Sequence, residues 1–143
     1  MRVDFHYNVD HRLQYACRIT RKARAAGKTV LAYAREPDRL ARFDAALWTF
    51  SALDFLPHVY ADSPLVAHTP IVLTLSARAA PRRDVLLTLD DDAPEDFGTW
   101  FAQFERVIEV VSQDDAERLQ ARNRVAAYRA AGIEPTMHKV QGE

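Results

Sequence analysis

Four short, largely apolar runs recur along the chain: Thr29-Val-Leu-Ala-Tyr33, Ile71 to Leu75, Val85 to Leu89 and Val107 to Val111. Each is strand-length, and none alternates apolar with polar as a half-exposed strand does. Such runs suit strands covered on both faces, as in a parallel sheet. Residues 2–7 add a strand that puts Val3, Phe5 and Tyr7 on one side. Between these runs the apolar residues switch to helical spacing. Leu13, Ala16, Cys17, Thr20 and Ala23 form a small-residue stripe over 11–26, closed by Gly27. Pro37 opens a helix with Leu40, Phe43 and Leu47 on one face. Pro94 opens another, in which Phe97, Trp100, Phe101 and Phe104 share a face. Ser112 and Asp115 read as a capping-box variant that starts a last helix, which runs to about Ala131 before Gly132. This alternation predicts an α/β sandwich with a mostly parallel sheet. A long connection over 48–70 is punctuated by Pro57, Pro64 and Pro70, and the polar tail after Pro135 is expected to fray.

The remaining features narrow the function classes. A chain of 143 residues is one domain's worth, taken as 1–143. Nineteen Lys and Arg oppose twenty Asp and Glu, for a net charge of -1. A chain so nearly neutral is not built as a whole to coat DNA or an anionic membrane. One cysteine excludes an intrachain disulfide and any multi-cysteine metal site. No apolar run approaches a membrane span, and the N-terminus has no signal core, so a soluble cytoplasmic protein is expected. Gly27-Lys28-Thr29 copies the end of a phosphate-binding loop, but Lys22 stands where the first glycine belongs. A helix also precedes it and a strand follows, the reverse of that motif. The histidines show no zinc-binding spacing. Asp90-Asp91-Asp92 reads as favourable charge at a helix N-terminus, and Cys17 as a core packer. No catalytic residue, metal site or cofactor is expected.

Four segments, in order, resemble the chi subunit family of bacterial DNA polymerase III. Arg42-Phe-Asp-Ala-Ala-Leu-Trp48 is similar to the family's R-L-D-x-x-L-W, and Phe55-Leu-Pro-His58 to its F-x-P-H. Arg82-Arg-Asp-Val-Leu86 resembles its R-D-x-L strand entry, and Arg118 through Gly132 its basic helix ending in Y-R-x-A-G. The resemblance implies a Rossmann-like fold without a nucleotide site and a non-catalytic adaptor, itself no enzyme, that bridges two partners in DNA replication. One is the psi subunit of the clamp loader, replaced in some bacteria by an XPD-like helicase. The other is the acidic C-terminal tail of single-stranded DNA-binding protein (SSB). No direct DNA contact and no membrane contact are expected.

Arg118, Arg122, Val125 and Arg129 fall at spacings of 4, 3 and 4 residues, a stripe of three cations and one apolar residue. Arginines suit carboxylates and an apolar site suits a terminal side chain, so the stripe fits the SSB tail. The rival reading is a solvated basic face near a helix C-terminus. The resemblance adds Tyr128, Val111 and Trp48 to this site; for Trp48 the rival is plain core packing. Where better-known relatives have an aromatic and a further cation, this chain has Val125 and Ala126. Phe55, Leu56 and Pro57 are implied to face psi or the helicase, with Phe50 and Leu53 as apolar neighbours; the rival is a loop tucked onto its own sheet. The alternative to an adaptor is a small α/β enzyme or nucleotide-binding protein with an unrecognised site.

Overall fold

The computed structural model describes residues 1–51, 55–78 and 80–141. The elements follow in the order β1 (Arg2–Val9), α1 (Arg12–Ala25), β2 (Val30–Tyr33), α2 (Pro37–Thr49), β3 (His58–Tyr60) and β4 (Ile71–Thr74). Then come β5 (Val85–Thr88), α3 (Phe97–Phe101), β6 (Arg106–Ser112), α4 (Asp115–Ala130) and β7 (Thr136–Lys139). The strands form one seven-stranded sheet, ordered β3-β4-β2-β5-β6-β1-β7. Every neighbouring pair is parallel. Val30 stands level with both Ile71 and Val85, so the central apolar runs stack in register.

Strand alternation divides each run between two cores. Val30, Ala32, Ile71, Leu73, Val85 and Leu87 face α1 and α2, where Ala16, Cys17, Leu40, Phe43 and Leu47 meet them. Leu31, Tyr33, Val72, Leu86 and Val107 face α3 and α4, against Trp100, Phe101, Phe104 and Tyr128. The expected α2 face and the expected small-residue stripe of α1 are thus buried as read. Gly27 and Gly132 end α1 and α4 with φ of 78° and 84°. In each case a following N–H reaches back five residues, Lys28 to the Ala23 carbonyl and Ile133 to that of Tyr128. This closure needs a left-handed residue, which glycine adopts without strain.

Four expectations change, the first being that the 48–70 connection holds the strand β3. The helix opened at Pro94 is short: Asp96 sits at φ 53° and only Phe97–Phe101 is helical, although Phe104 still reaches the same core. The cap of α4 is Asp114, whose carboxylate accepts the Glu117 N–H at 3.0 Å, two residues after the expected Ser112. The segment after Pro135 is ordered as β7, an edge strand on β1. Its hold is largely polar. Val140 N–H donates to the Tyr7 carbonyl at 2.9 Å, and His138 Nε2 donates to Asp4 Oδ1 at 2.7 Å. Burial pushes the Asp4 carboxyl up, but hydrogen bonds from Arg106 and His138 more than reverse it, leaving it below the ordinary value.

His6 packs 4.9 Å from His138 and hydrogen-bonds Tyr15 through Nδ1 at 2.8 Å, while its Nε2 is buried without a partner. Burial, with the His138, Arg106 and Lys22 charges and against that of Asp4, lowers its pKa to about 4. The unfolded ring takes up its proton near pH 6.5, and the folded ring not until about 4. Stability from His6 is therefore complete above pH 6.5 and falls as pH drops towards 4, by about 1–3 kcal/mol. A His6→Leu variant is expected to lose less melting temperature than wild type between pH 7 and 4.5. Parallel declines in the two proteins would remove His6 as the cause.

Candidate partner-binding surfaces

The carboxylates after β5 serve as a lock. The Asp91 carboxylate accepts Arg12 at 2.7 Å and Arg39 at 3.0 Å, and Asp90 accepts the Arg35 N–H at 2.7 Å. Burial raises the Asp91 pKa, but the two guanidiniums outweigh it and hold the group below the carboxylate range. Asp90 and Asp91 thus tie α1 and α2 to the end of β5 instead of charging a helix N-terminus. These residues also line a crevice of about 940 Å³ at the C-terminal ends of β2 and β5. Among the described residues, no group of His, Cys, Asp or Glu is arranged to hold a metal ion.

On α4, the arginines and the apolar residues part company. Arg118, Arg122 and Arg129 are exposed, whereas Val125 and Tyr128 are buried, as is Val111 at the end of β6. At about 100° per residue, Val125 lies roughly 60° from Arg122, on the inner border of the cationic strip. Arg118 lies 3.8 Å from Asp115, and Arg129 pairs with Glu134 at 3.0 Å. Arg122, between them, makes no ion pair among the described residues. Tyr128 is fully buried against the Phe5, Phe97 and Phe101 rings, and its hydroxyl donates to Glu109. Burial and the Glu109 charge push its pKa far up. Arg124 fixes the rotation of the helix: its Nε donates to Glu109 at 2.6 Å and its Nη1 to the Asp91 carbonyl at 2.6 Å. Neither Glu109 nor Arg124 was expected to matter. Their signal is a charge inside the apolar run of β6 and a charge on the apolar stripe of α4.

A second surface forms where α2 ends. Trp48 and Phe55 are 58% and 68% exposed, with ring centroids 5.8 Å apart. Trp48 also lies 4.7 Å from the buried His58 ring. His58 Nε2 meets Asp44 at 2.7 Å and its Nδ1 meets the Leu56 carbonyl at 2.8 Å. Two of the resembling segments thus lock together, Asp44 of the first holding His58 of the second. Leu56 is buried in the α1–α2 core, while Phe55 and Pro57 on either side face outward. Leu53 lies outside the described residues. Trp48, grouped by resemblance with the α4 residues, stands instead beside Phe55. Its helix packs on the opposite side of the sheet from α4, near the β3 edge.

The architecture is that of the open α/β sheet proteins. It is shared with the C-terminal domain of S. cerevisiae Dbp5, at TM-score 0.62 and 9% identity, over 98% of this chain and 90% of that one. Domain 2 of the DEAD-box helicase Mss116p aligns at TM-score 0.59 and 11% identity, over 98% of this chain and 65% of that one. At such identities the likeness concerns the fold alone. Sequence comparison goes further: the family described as DNA polymerase III chi subunit, HolC, matches residues 1–136. The DNA polymerase III subunit chi of Pseudomonas aeruginosa is 32% identical over 97% of this chain and 96% of its own length. That of Escherichia coli K12 is 32% identical over 84% of this chain and 80% of its own. The chain belongs to the chi subunit family of DNA polymerase III, accessory subunits of DNA replication. No helix among the described residues is long and apolar enough to cross a membrane.

Proposed function

We propose that the chain is a non-catalytic adaptor that joins the clamp loader to SSB-coated template. The outer face of α4 takes the acidic SSB tail: Arg118, Arg122 and Arg129 meet its carboxylates, Val125 with Val111 borders the site for its apolar end, and Tyr128 holds the helix from beneath. The Trp48–Phe55 patch, with Pro57, takes the psi subunit or, in its place, an XPD-like helicase; Leu56 anchors the segment in the core. The observation that carries the tail reading is Arg122, exposed and without an ion pair among the described residues between two arginines that have partners. Its guanidinium can donate to a carboxylate without breaking a bond to any described residue.

At Gly27 the backbone supports a helix end rather than a phosphate loop. The Gly27 N–H is taken by the Arg24 carbonyl and the Lys28 N–H by that of Ala23. A phosphate loop needs those donors free.

Charge-assisted hydrogen bonds contribute about 1.5–3 kcal/mol. Arg122→Ala is therefore expected to weaken binding of a labelled SSB-tail peptide by about ten- to a hundred-fold, at ~1.4 kcal/mol per decade. Added salt weakens the wild type more than the variant. Fluorescence anisotropy at two salt concentrations reads both effects. A folded Arg122→Ala protein that binds as the wild type does removes α4 from the tail site.

A further inference from the structure

The helix on the other side of the sheet is charged with one sign only. Residues 11–35 hold seven Arg or Lys and no Asp or Glu. A net charge of -1 for the whole chain conceals this segregation. The fold employs some of these cations internally. Arg12 pairs with Asp91 and Glu117, Arg24 donates to the Lys28 carbonyl, and Lys28 pairs with Glu105. Arg18 and Lys22 are exposed, one turn apart on α1. Arg18 and Lys22 make no ion pair among the described residues. They are i, i+4 neighbours of like charge, an arrangement that disfavours the helix.

Beside them runs a groove between α1 and α2, about 400 Å³ in volume. Gln14 and Arg18 line one wall and Thr49 and Phe50 the other; among the described residues, Asp10 is the one carboxylate on the lining. The Arg21 guanidinium lies over the Phe50 ring, 5.0 Å from its centroid. Arg18, hydrogen-bonding side chains and the Phe50 ring thus share one groove, with Lys22 one turn further along α1 and the Arg21 guanidinium over Phe50.

We infer that this α1–α2 surface binds single-stranded nucleic acid. Arg18 and Lys22 follow the phosphates, the Phe50–Arg21 pair offers a face on which a base stacks, and Gln14 and Thr49 supply hydrogen bonds. An acidic peptide fits less well, because carboxylate recognition favours free guanidinium forks and Arg21 is engaged on a ring. The expectation of no direct DNA contact rested on net charge, which averages this face with acidic segments elsewhere, and on the lack of an aromatic and basic strand motif, which a helical face does not require.

The test is fluorescence anisotropy of the full chain with a labelled oligothymidylate of about 15 nucleotides, near the upper end of single-module site sizes. Two phosphate contacts on a single strand give a log–log salt slope of about -1.4, so affinity is expected to fall about sevenfold between roughly 50 and 200 mM salt. Arg18→Glu/Lys22→Glu, at exposed positions and with unchanged melting temperature, is expected to lose at least tenfold. Arg122→Glu, on the opposite side of the sheet, is expected to bind the oligonucleotide as wild type does. No binding at the lower salt overturns the inference, as does equal binding by the double variant. An oligoglutamate peptide that displaces the DNA from wild type at comparable concentration also overturns it, assigning the surface to an acidic protein. The SSB-tail titration of the same double variant keeps this result separate from the fate of the α4 site.

Discussion

Glu109→Ala is expected to lower the folding free energy by about 3–5 kcal/mol, the cost of leaving a buried charge without its partner. Glu109 is fully buried in the middle of β6, and Arg124 is 3% exposed. The carboxylate accepts Arg124 Nε on one oxygen and the Tyr128 hydroxyl on the other. The guanidinium spans the 5.6 Å to the Phe5 ring centroid and carries a further buried nitrogen, Nη2, with no partner. Removing the carboxylate therefore orphans a buried cation and a buried phenol together. Glu109→Gln, which keeps shape and one acceptor, should fall between wild type and Ala. Glu109→Leu/Arg124→Leu should recover part of the loss, because it removes the orphaned cation while the Tyr128 hydroxyl still lacks its acceptor. Urea unfolding at pH 7 measures all three. A loss below about 1 kcal/mol in Glu109→Ala, the size of an ordinary surface change, would show that the pair is not a clamp. The consequence for function is geometric. With Arg124 held inward, the outward side of α4 is the one that carries Arg118, Arg122 and Arg129.

Much of this fold is written locally. β2, β4 and β5 are read from sequence because a strand buried on both faces must be apolar at every position, and Leu40, Phe43 and Leu47 fix the buried side of α2 by spacing alone. β7 is not read, because Thr136-Met-His-Lys139 has no apolar period. It joins the sheet through main-chain bonds and through His138 to Asp4, a contact across 134 positions. β3 escapes for a related reason, being three residues at an edge with only His58 buried. The candidate surfaces are legible as residue types and less so as neighbours. Spacing finds the three α4 cations, yet it also places Val125 among them, because a four-three-four rhythm spans both the exposed strip and its inner border. Trp48 and Phe55 meet only because Asp44 draws His58 against the end of α2, and no periodicity encodes that.

Trp48→Ala and Phe55→Ala are each expected to weaken binding of psi, or of the helicase that replaces it, by about 1–4 kcal/mol, the range for truncating an interface anchor. That corresponds to roughly fivefold to nearly a thousandfold in Kd. Both rings already face water in the free protein, so the melting temperature should hardly move. His58→Ala supplies the contrast. His58 is 8% exposed and bonded to Asp44 and Leu56, so its loss should lower stability and weaken partner binding only as the patch loses its floor. Because the two rings touch, the Trp48→Ala/Phe55→Ala double variant should fall short of the sum of the single effects, whereas Phe55→Ala and Arg122→Ala should act independently. SSB-tail affinity should remain at the wild-type value in all three patch variants, since α4 packs on the other side of the sheet. Calorimetric titration with purified psi, paired with thermal melts, decides the matter. If Trp48→Ala and Phe55→Ala melt well below wild type while partner affinity per folded molecule is unchanged, the rings serve the fold and the docking surface lies elsewhere.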